Sequence, residues 1–211
     1  MTRFVAATPD APARQPLYSR VVDPGAIGAA FVGIGLAMTV GVSFLLVIPI
    51  EPVYWALSVP AGLLIGYYAD TRSGRRRGEW RRIIANAFLA GLATGLTLAT
   101  LFIAVKALFF YADDGYQDSG THITCTRGAD CVYQRYLVQQ GDDLVAAGIT
   151  DAATFGTYYW SQQWNTALLI VILATGSGVA GGAIYGINRP KIEAGATTDP
   201  GTAPQPQPES D

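Results

Sequence analysis

The sequence predicts an all-α, polytopic membrane protein: a bundle of four transmembrane helices with an extracytoplasmic loop of about 50 residues between helices 3 and 4. Half of the 211 residues are hydrophobic and only 14% are charged, against about 25% in soluble domains. Charged residues are also missing from four long intervals, each of which can hold a bilayer-spanning helix of about 20 residues. These intervals lie between residues 23 and 51, 51 and 70, 82 and 106, and 151 and 189. A soluble helical domain is the alternative, but its helices would need polar faces that these intervals lack.

The arginines predict the orientation of the bundle, because Lys and Arg are enriched in cytoplasmic loops. Six arginines separate the second interval from the third: Arg72, Arg75, Arg76, Arg77, Arg81 and Arg82. With four crossings, eleven basic residues fall on this side and only Arg127 and Arg135 on the other, with Lys106 near a helix end. Both termini and the arginine loop are therefore expected in the cytoplasm. Since this topology already explains the basic run, no nucleic-acid partner is predicted.

This topology divides the chain into three parts. Residues 1–22 are expected to form a cytoplasmic arm, residues 23–191 the transmembrane domain, and the proline-rich residues 192–211 a disordered cytoplasmic tail. The spans are predicted at about 25–48, 53–69, 83–111 and 164–187, and the extracytoplasmic loop at 112–163. Asp23 is interpreted as the N-cap of the first helix, and Pro60 is expected to kink the second. The excess of Arg over Lys is compatible with a GC-rich bacterial genome, which favours the plasma membrane as the location.

The extracytoplasmic loop contains both cysteines, Cys125 and Cys131. In an oxidising compartment this spacing favours a disulfide that closes a small loop. A zinc site formed by His122 and the two cysteines is the alternative, but the spacing is unusual and no fourth ligand is evident. The three aspartates at 113, 114 and 118 do not follow the alternation of a calcium-binding loop and are interpreted as a solvated turn. We therefore predict no metal and no cofactor.

Two helices are expected in the second half of this loop, one over 132–147 and one that begins at Thr150 or Asp151. The second helix carries a cluster of aromatic residues ahead of the fourth span, where ring side chains commonly lie at the membrane interface. Ligand binding by these rings is the alternative. Across the whole chain, four tryptophans are predicted to anchor at the interfaces: Trp55, Trp80, Trp160 and Trp164. Lys106 is expected to extend to the headgroups, with an intramembrane pathway charge as its functional alternative.

Small residues recur every fourth position in all four predicted spans, so they share one side of each helix. Such stripes let helix backbones approach closely in lipid. The glycines predicted to mediate packing are Gly33, Gly41, Gly62, Gly66, Gly91, Gly95, Gly178, Gly182 and Gly186. They concentrate towards the cytoplasmic half, which is therefore expected to be packed most tightly. The bulkier outer half is expected to be filled by its side chains, and a cavity that opens outward is the alternative.

The sequence contains no motif of a serine hydrolase, a zinc protease, a nucleotide-binding loop or a dinucleotide fold. We therefore predict a non-enzymatic integral membrane protein. Its expected role is that of an accessory or scaffolding subunit, which packs against a membrane-protein partner or against copies of itself through small-residue helix faces and the disulfide-closed outer loop. The alternative is a small transporter or channel that acts as a homo-oligomer. The partners expected are the lipid bilayer and either a second copy or another membrane protein.

Overall fold

The computed structural model of the protein describes residues 22–45, 51–74, 79–116 and 120–188. In these ranges the chain is helical and has no strand beyond one isolated bridge between Tyr116 and His122. The five described helices are α1 (Pro24–Leu45), α2 (Glu51–Ser73), α3 (Trp80–Ala112), α4 (Ala129–Ala146) and α5 (Ala152–Asn188). The prediction of an all-helical chain is confirmed. The predicted tail, and the predicted arm apart from Val22, lie outside the described residues.

Three helices are long and apolar enough to cross a membrane, over Pro24–Ser43, Trp80–Ala112 and Ala152–Asn188. The chain is therefore a membrane protein by the length and composition of its helices. The second predicted span differs, because α2 does not reach the same apolarity: Glu51 begins it and Asp70 and Arg72 lie in its last turns. However, α2 packs against α1, α3 and α5. It also runs from Glu51 to Ser73 without interruption at Pro60.

The fourth predicted span is longer than its apolar core suggested. Helix α5 begins at Ala152 and contains 37 residues, a length of about 55 Å. Because about 20 residues suffice to cross a bilayer, α5 is longer than one crossing requires, and its first dozen residues extend the helix ahead of the predicted span. The Thr154 backbone N–H donates to the Asp151 carboxylate at 2.8 Å, and this hydrogen bond lowers the pKa of Asp151. Asp151 is therefore the expected cap.

This extension of α5 forms an outer cap with α4 and the end of α3. The cap encloses its own hydrophobic cluster, which comprises Phe110, Val132, Tyr133, Leu144, Ile149, Phe155 and Tyr159. Phe110 stacks on Tyr159 with 4.8 Å between the ring centroids. Phe155 is fully buried. The aromatic residues at the start of α5 were predicted at the membrane interface, but Phe155 and Tyr159 instead form the core of the cap, because α4 folds over them.

Within the bundle, α2, α3 and α5 approach one another through glycine. A Cβ added at Gly66 would overlap the backbone carbonyl of Gly178, and one at Gly62 would overlap that of Ala174. The Cα atom of Gly91 lies 3.0 Å from a Cβ added at Gly178. These contacts all lie on the side of the bundle where α2 ends and α3 begins. The outer half is filled by a second cluster around Tyr54, Phe102 and Ile170, as predicted.

Substitution of Gly66 by Ala tests this close approach. The added methyl meets backbone atoms of α5, which cannot rotate away, so we expect the free energy of unfolding to fall by about 1–3 kcal/mol. The matched control is Gly176→Ala, two residues from Gly178 on α5, where a Cβ meets nothing within 4 Å. Thermal unfolding in mild detergent should separate the two variants. Equal stability of both variants would contradict the backbone contact.

Candidate functional site

Three polar side chains from three helix ends meet inside the bundle, on the side where α2 ends and α3 begins. They are Asp23, Asp70 and Asn86, which we call the inner polar layer. Asp70 and Asn86 are completely buried and Asp23 is 6% exposed. The Asn86 side-chain amide donates to Asp23 Oδ2 at 2.8 Å and, more weakly, to Asp70 Oδ1 at 3.4 Å. Its carbonyl accepts the Asp23 backbone N–H at 3.0 Å. One amide therefore joins two carboxylates.

The local sequence accounts for each position in this layer. Helix α1 begins at Pro24, so Asp23 lies immediately before the first residue of that helix. Asp70 lies in the last turn of α2, which ends at Ser73 before Gly74 adopts a φ of +65°. Asn86 lies in the second turn of α3, one turn after Arg82, whose Nη1 atom lies 3.8 Å from Asp23 Oδ1. The layer thus connects the ends of α1, α2 and α3.

Chemically, the inner polar layer offers carboxylate and amide oxygens in a site removed from water. Such oxygens can hold a proton or a hard cation. However, the described residues contain no group of three or more His, Cys, Asp or Glu side chains that could hold a metal ion. The layer also lacks a nucleophile paired with a base, so its geometry supports no catalytic mechanism. Its clearest effect is structural, since the Asn86 amide hydrogen-bonds to Asp23 and, more weakly, to Asp70 where water is excluded.

The structure adds to what the sequence indicates for two of these residues. Asp70 is a neighbour of the arginine-rich connection in the sequence, yet Asp70 is fully buried and Arg72 is exposed. Asp23 directly precedes α1, as predicted for an N-cap, and its carboxylate also accepts from Asn86 on another helix. Asn86 was missed altogether. A single amide in an otherwise apolar span is the signal that could have revealed it, because polar groups in lipid need partners.

Two further buried polar side chains, Lys106 and Gln163, lie near the outer end of the bundle. Lys106 was expected to extend to the headgroups, but it is 9% exposed and its Nζ atom lies 5.6 Å from the centre of the Phe102 ring. Helices α3 and α5 are antiparallel, and Phe110 faces Tyr159. One turn further inward, Lys106 and Gln163 therefore lie at the same level. Gln163 is 2% exposed, and its side-chain oxygen has no hydrogen-bond partner among the described residues.

The predicted packing glycines lie inside the bundle. Gly33 and Gly41 of α1 face Thr94 and Leu101 of α3. A Cβ at Gly182 would lie 2.8 Å from Asp70 Oδ2, so the glycine contacts and the inner polar layer adjoin. The remaining predicted glycines lie between α2, α3 and α5, or against the Trp80 ring in the case of Gly186.

The predicted topology and interface residues are distributed as follows. Arg72, Arg81 and Arg82 are exposed, and Arg75, Arg76 and Arg77 lie outside the described residues. Trp80 and Trp164 are exposed. Trp160 is half-buried against Tyr159 and Phe110 in the outer cap. The side chain of Trp55 lies outside the described residues.

One disulfide bond and one ion pair hold the loop between α3 and α4. The Cys125 and Cys131 sulfurs lie at bonding distance, 1.98 Å, with the Cα atoms 5.0 Å apart. The predicted disulfide therefore forms and engages both thiols that the zinc alternative requires. Asp113 accepts from Arg135 at 2.9 Å and from the Gly115 backbone N–H at 2.8 Å. Its role is thus to hold the turn, and Asp118 lies outside the described residues.

Comparison of the chain with protein-family models, with curated proteins and with solved structures finds no match in any of the three. The geometry above is therefore the basis for any functional inference.

Substitution of Asn86 by Leu tests the inner polar layer. It removes the amide and leaves two buried carboxylates without their shared donor, a loss expected to cost about 1–3 kcal/mol or more. The matched control is Thr97→Val, also in α3, because the Thr97 hydroxyl donates only to the Ala93 carbonyl of its own helix among the hydrogen bonds described. We expect unfolding in detergent to be shifted for the first variant and nearly unchanged for the second. A shift of equal size in both would argue against a special role for Asn86.

Proposed function

We propose that the chain is a non-enzymatic integral membrane protein of the plasma membrane, which acts as an accessory or scaffolding subunit. In this proposal four helices cross the bilayer, both termini are cytoplasmic, and the outer cap lies outside the cell. The observation that carries it is an open helix face on α1, lined with small residues that the bundle does not use. Such a face is suited to a second membrane helix.

The four-crossing topology is supported by the position of α2. Gly62 and Gly66 lie against Ala174 and Gly178 of α5, and α5 is one of the three apolar helices. A helix packed along a membrane span shares its depth, and the neighbouring helices bury Asp70 in its last turn. The exposed arginines at both ends of the α2–α3 connection support a cytoplasmic location for that side.

The open face of α1 is supported by the environment of its glycines. Gly33 and Gly41 contact α3, whereas added Cβ atoms at Gly28 and Gly35 meet nothing within 4 Å. Residues 28 and 35 are two helical turns apart and therefore lie on the same side. The neighbouring side chains on this side are apolar and exposed: Phe31, Val32, Leu36, Met38 and Val42. Without large side chains at the two glycines, another helix backbone can approach closely.

The outer cap supports a second contact region. The disulfide and the Arg135–Asp113 ion pair fix its loop. Val138 and Val145 of α4 are both strongly exposed. They lie on either side of a kink in α4, where Gln140 has a non-helical φ of −143°. A rigid extracytoplasmic surface with exposed valines is suited to a protein partner.

The test is the assembly state of the purified full chain, measured by native mass spectrometry and chemical crosslinking in mild detergent. We expect a homo-oligomer or a specific co-purifying membrane protein. The double substitution Gly28→Leu and Gly35→Leu should abolish this association, whereas Gly176→Leu, also at an open position, should leave it intact. A strictly monomeric particle without a partner would contradict the proposal. If Gly176→Leu disrupts the association as strongly as the double substitution at Gly28 and Gly35 does, the role of α1 is contradicted.

A transporter or channel is the second candidate, and buried ionisable residues favour it. Asp70 is buried in the inner polar layer, and Lys106 is buried near the outer end of the bundle. Between them, the cluster of Tyr54, Phe102 and Ile170 fills the interior with apolar side chains. A polar path would therefore have to form between several copies.

Flux of protons and potassium ions into proteoliposomes tests this candidate. Transport predicts flux above that of protein-free vesicles, and Asp70→Asn should reduce it several-fold. The control is Asp114→Asn, because Asp114 is exposed in the outer turn. Flux that does not exceed the protein-free level would eliminate the transport candidate.

A further inference from the structure

A groove of about 330 Å³ runs between α3 and α5 in the outer half of the bundle. Its walls are formed by residues 96–103 of α3 and 164–171 of α5. Both helices are apolar enough to span the membrane, so the groove opens towards lipid. It lies on the surface beside the filled outer cluster and does not enter the interior. The sequence predicted that side chains fill the outer half, with a cavity that opens outward as the alternative. A lateral groove was not predicted.

The groove exists because small side chains face one another across the two helices. Ala99 and Ala167 are almost completely buried at its base. Thr100 adds a third short side chain. Larger residues, among them Leu96, Leu168 and Trp164, form its rim. Further inward the two helices approach closely, since a Cβ added at Gly95 would lie 3.0 Å from the Cβ of Ala174.

The width of the groove limits what can lie inside it. It runs between two packed helices, whose axes are typically about 8–10 Å apart, and an α-helix with its side chains is about 10–12 Å wide. A third helix can therefore lie across the groove but not within it. A chain of methylenes, whose carbons keep about 4 Å from their neighbours, is narrow enough to lie along the groove, which extends over about seven residues of helix, or about 10 Å.

The position of the groove gives the direction of the chain. Trp164 lies at its outer end and is exposed, and tryptophan favours the headgroup level of a bilayer. Leu96 and Val171 mark the inner end, about 10 Å deeper along the helices. An acyl chain that enters beside Trp164 and runs inward matches a phospholipid of the outer leaflet. A groove left empty would lose the dispersion contacts of its lining, and an apolar chain restores them.

We propose that the groove between α3 and α5 is a binding site for one acyl chain of an outer-leaflet phospholipid, with its headgroup near Trp164. This site requires a membrane-embedded bundle, and its assignment to the outer leaflet rests on the proposed orientation, but it does not depend on the accessory role or on the open face of α1. Its occupant completes the packing of this lateral face, where Ala99, Thr100 and Ala167 are short.

The test uses the full-length protein in phosphatidylethanolamine–phosphatidylglycerol vesicles that contain a phospholipid with a photoactivatable diazirine on its acyl chain. After illumination, mass spectrometry maps the labelled residues. We expect labelling of residues 96–103 and 164–171 to exceed, several-fold, that of an exposed position of α5 outside the groove, Ile172. Uniform labelling of all lipid-facing residues would overturn the proposal.

Two pairs of variants make the test specific. Leu168→Ala removes part of the rim, and Ile172→Ala shortens a side chain outside the groove at nearly equal exposure, 59% against 57%. Only the first should reduce the excess labelling of the groove. Thr100→Phe, which fills the groove, should reduce it to the level of Ile172, while Ile172→Phe should not.

A different occupant would be recognised in the same preparation. If the groove residues stay unlabelled and a Leu168→Cys variant forms disulfide-linked dimers in the membrane, the groove is covered by a second copy and the lipid site is refuted. Because assembly is measured separately, a negative labelling result leaves the accessory role standing.

Discussion

The structure depends on the way α2 is held in the centre of the bundle. In a bilayer, exclusion of water does not press helices together, so close backbone packing and polar contacts must do so. Helix α2 has both: Gly62 and Gly66 bring it against the α5 backbone, and Asp70 contacts the amide of Asn86, which also binds Asp23. These contacts adjoin, since Gly182 leaves space beside Asp70. The least apolar of the long helices is therefore the one with the closest contacts.

As a result, the kind of contact between the helices changes along the length of the bundle. Where α2 ends and α3 begins, glycine and the inner polar layer bring the helices close. Further outward, side chains such as Tyr54 and Phe102 fill the space between them. Between α3 and α5, short side chains leave a groove instead. At the far end of the bundle, α4 closes over the first residues of α5, and a separate aromatic core forms between them. The features proposed to act on other molecules, namely the α1 face, the groove and the cap, all lie outside the tightly packed region.

The helical class, the cysteine pair and the approximate ends of α1 and α3 were predictable from sequence, because long uncharged intervals and Cys spacing report directly on these features. The start of α5 after Asp151 was also predictable from its capping residue, but its continuity with the fourth span was not. The polar residues among 152–163 indicate a separate helix outside the span, whereas the structure has one helix from Ala152 to Asn188. The burial of Asp70 was also hidden. A carboxylate beside arginines normally lies in solvent, and only the partner Asn86, sixteen residues later on another helix, explains its place. Contacts between distant segments are not encoded in local patterns.

The central claim is that α2 crosses the bilayer although its composition alone does not require it. Single cysteines at Val53, near its outer end, and at the exposed Thr71, near its inner end, can be probed with a membrane-impermeant maleimide, since the two native cysteines are joined to each other. If α2 crosses the bilayer, the cysteine at position 53 is labelled in intact cells and the cysteine at position 71 only after permeabilisation. Labelling of both positions from the same side would contradict it.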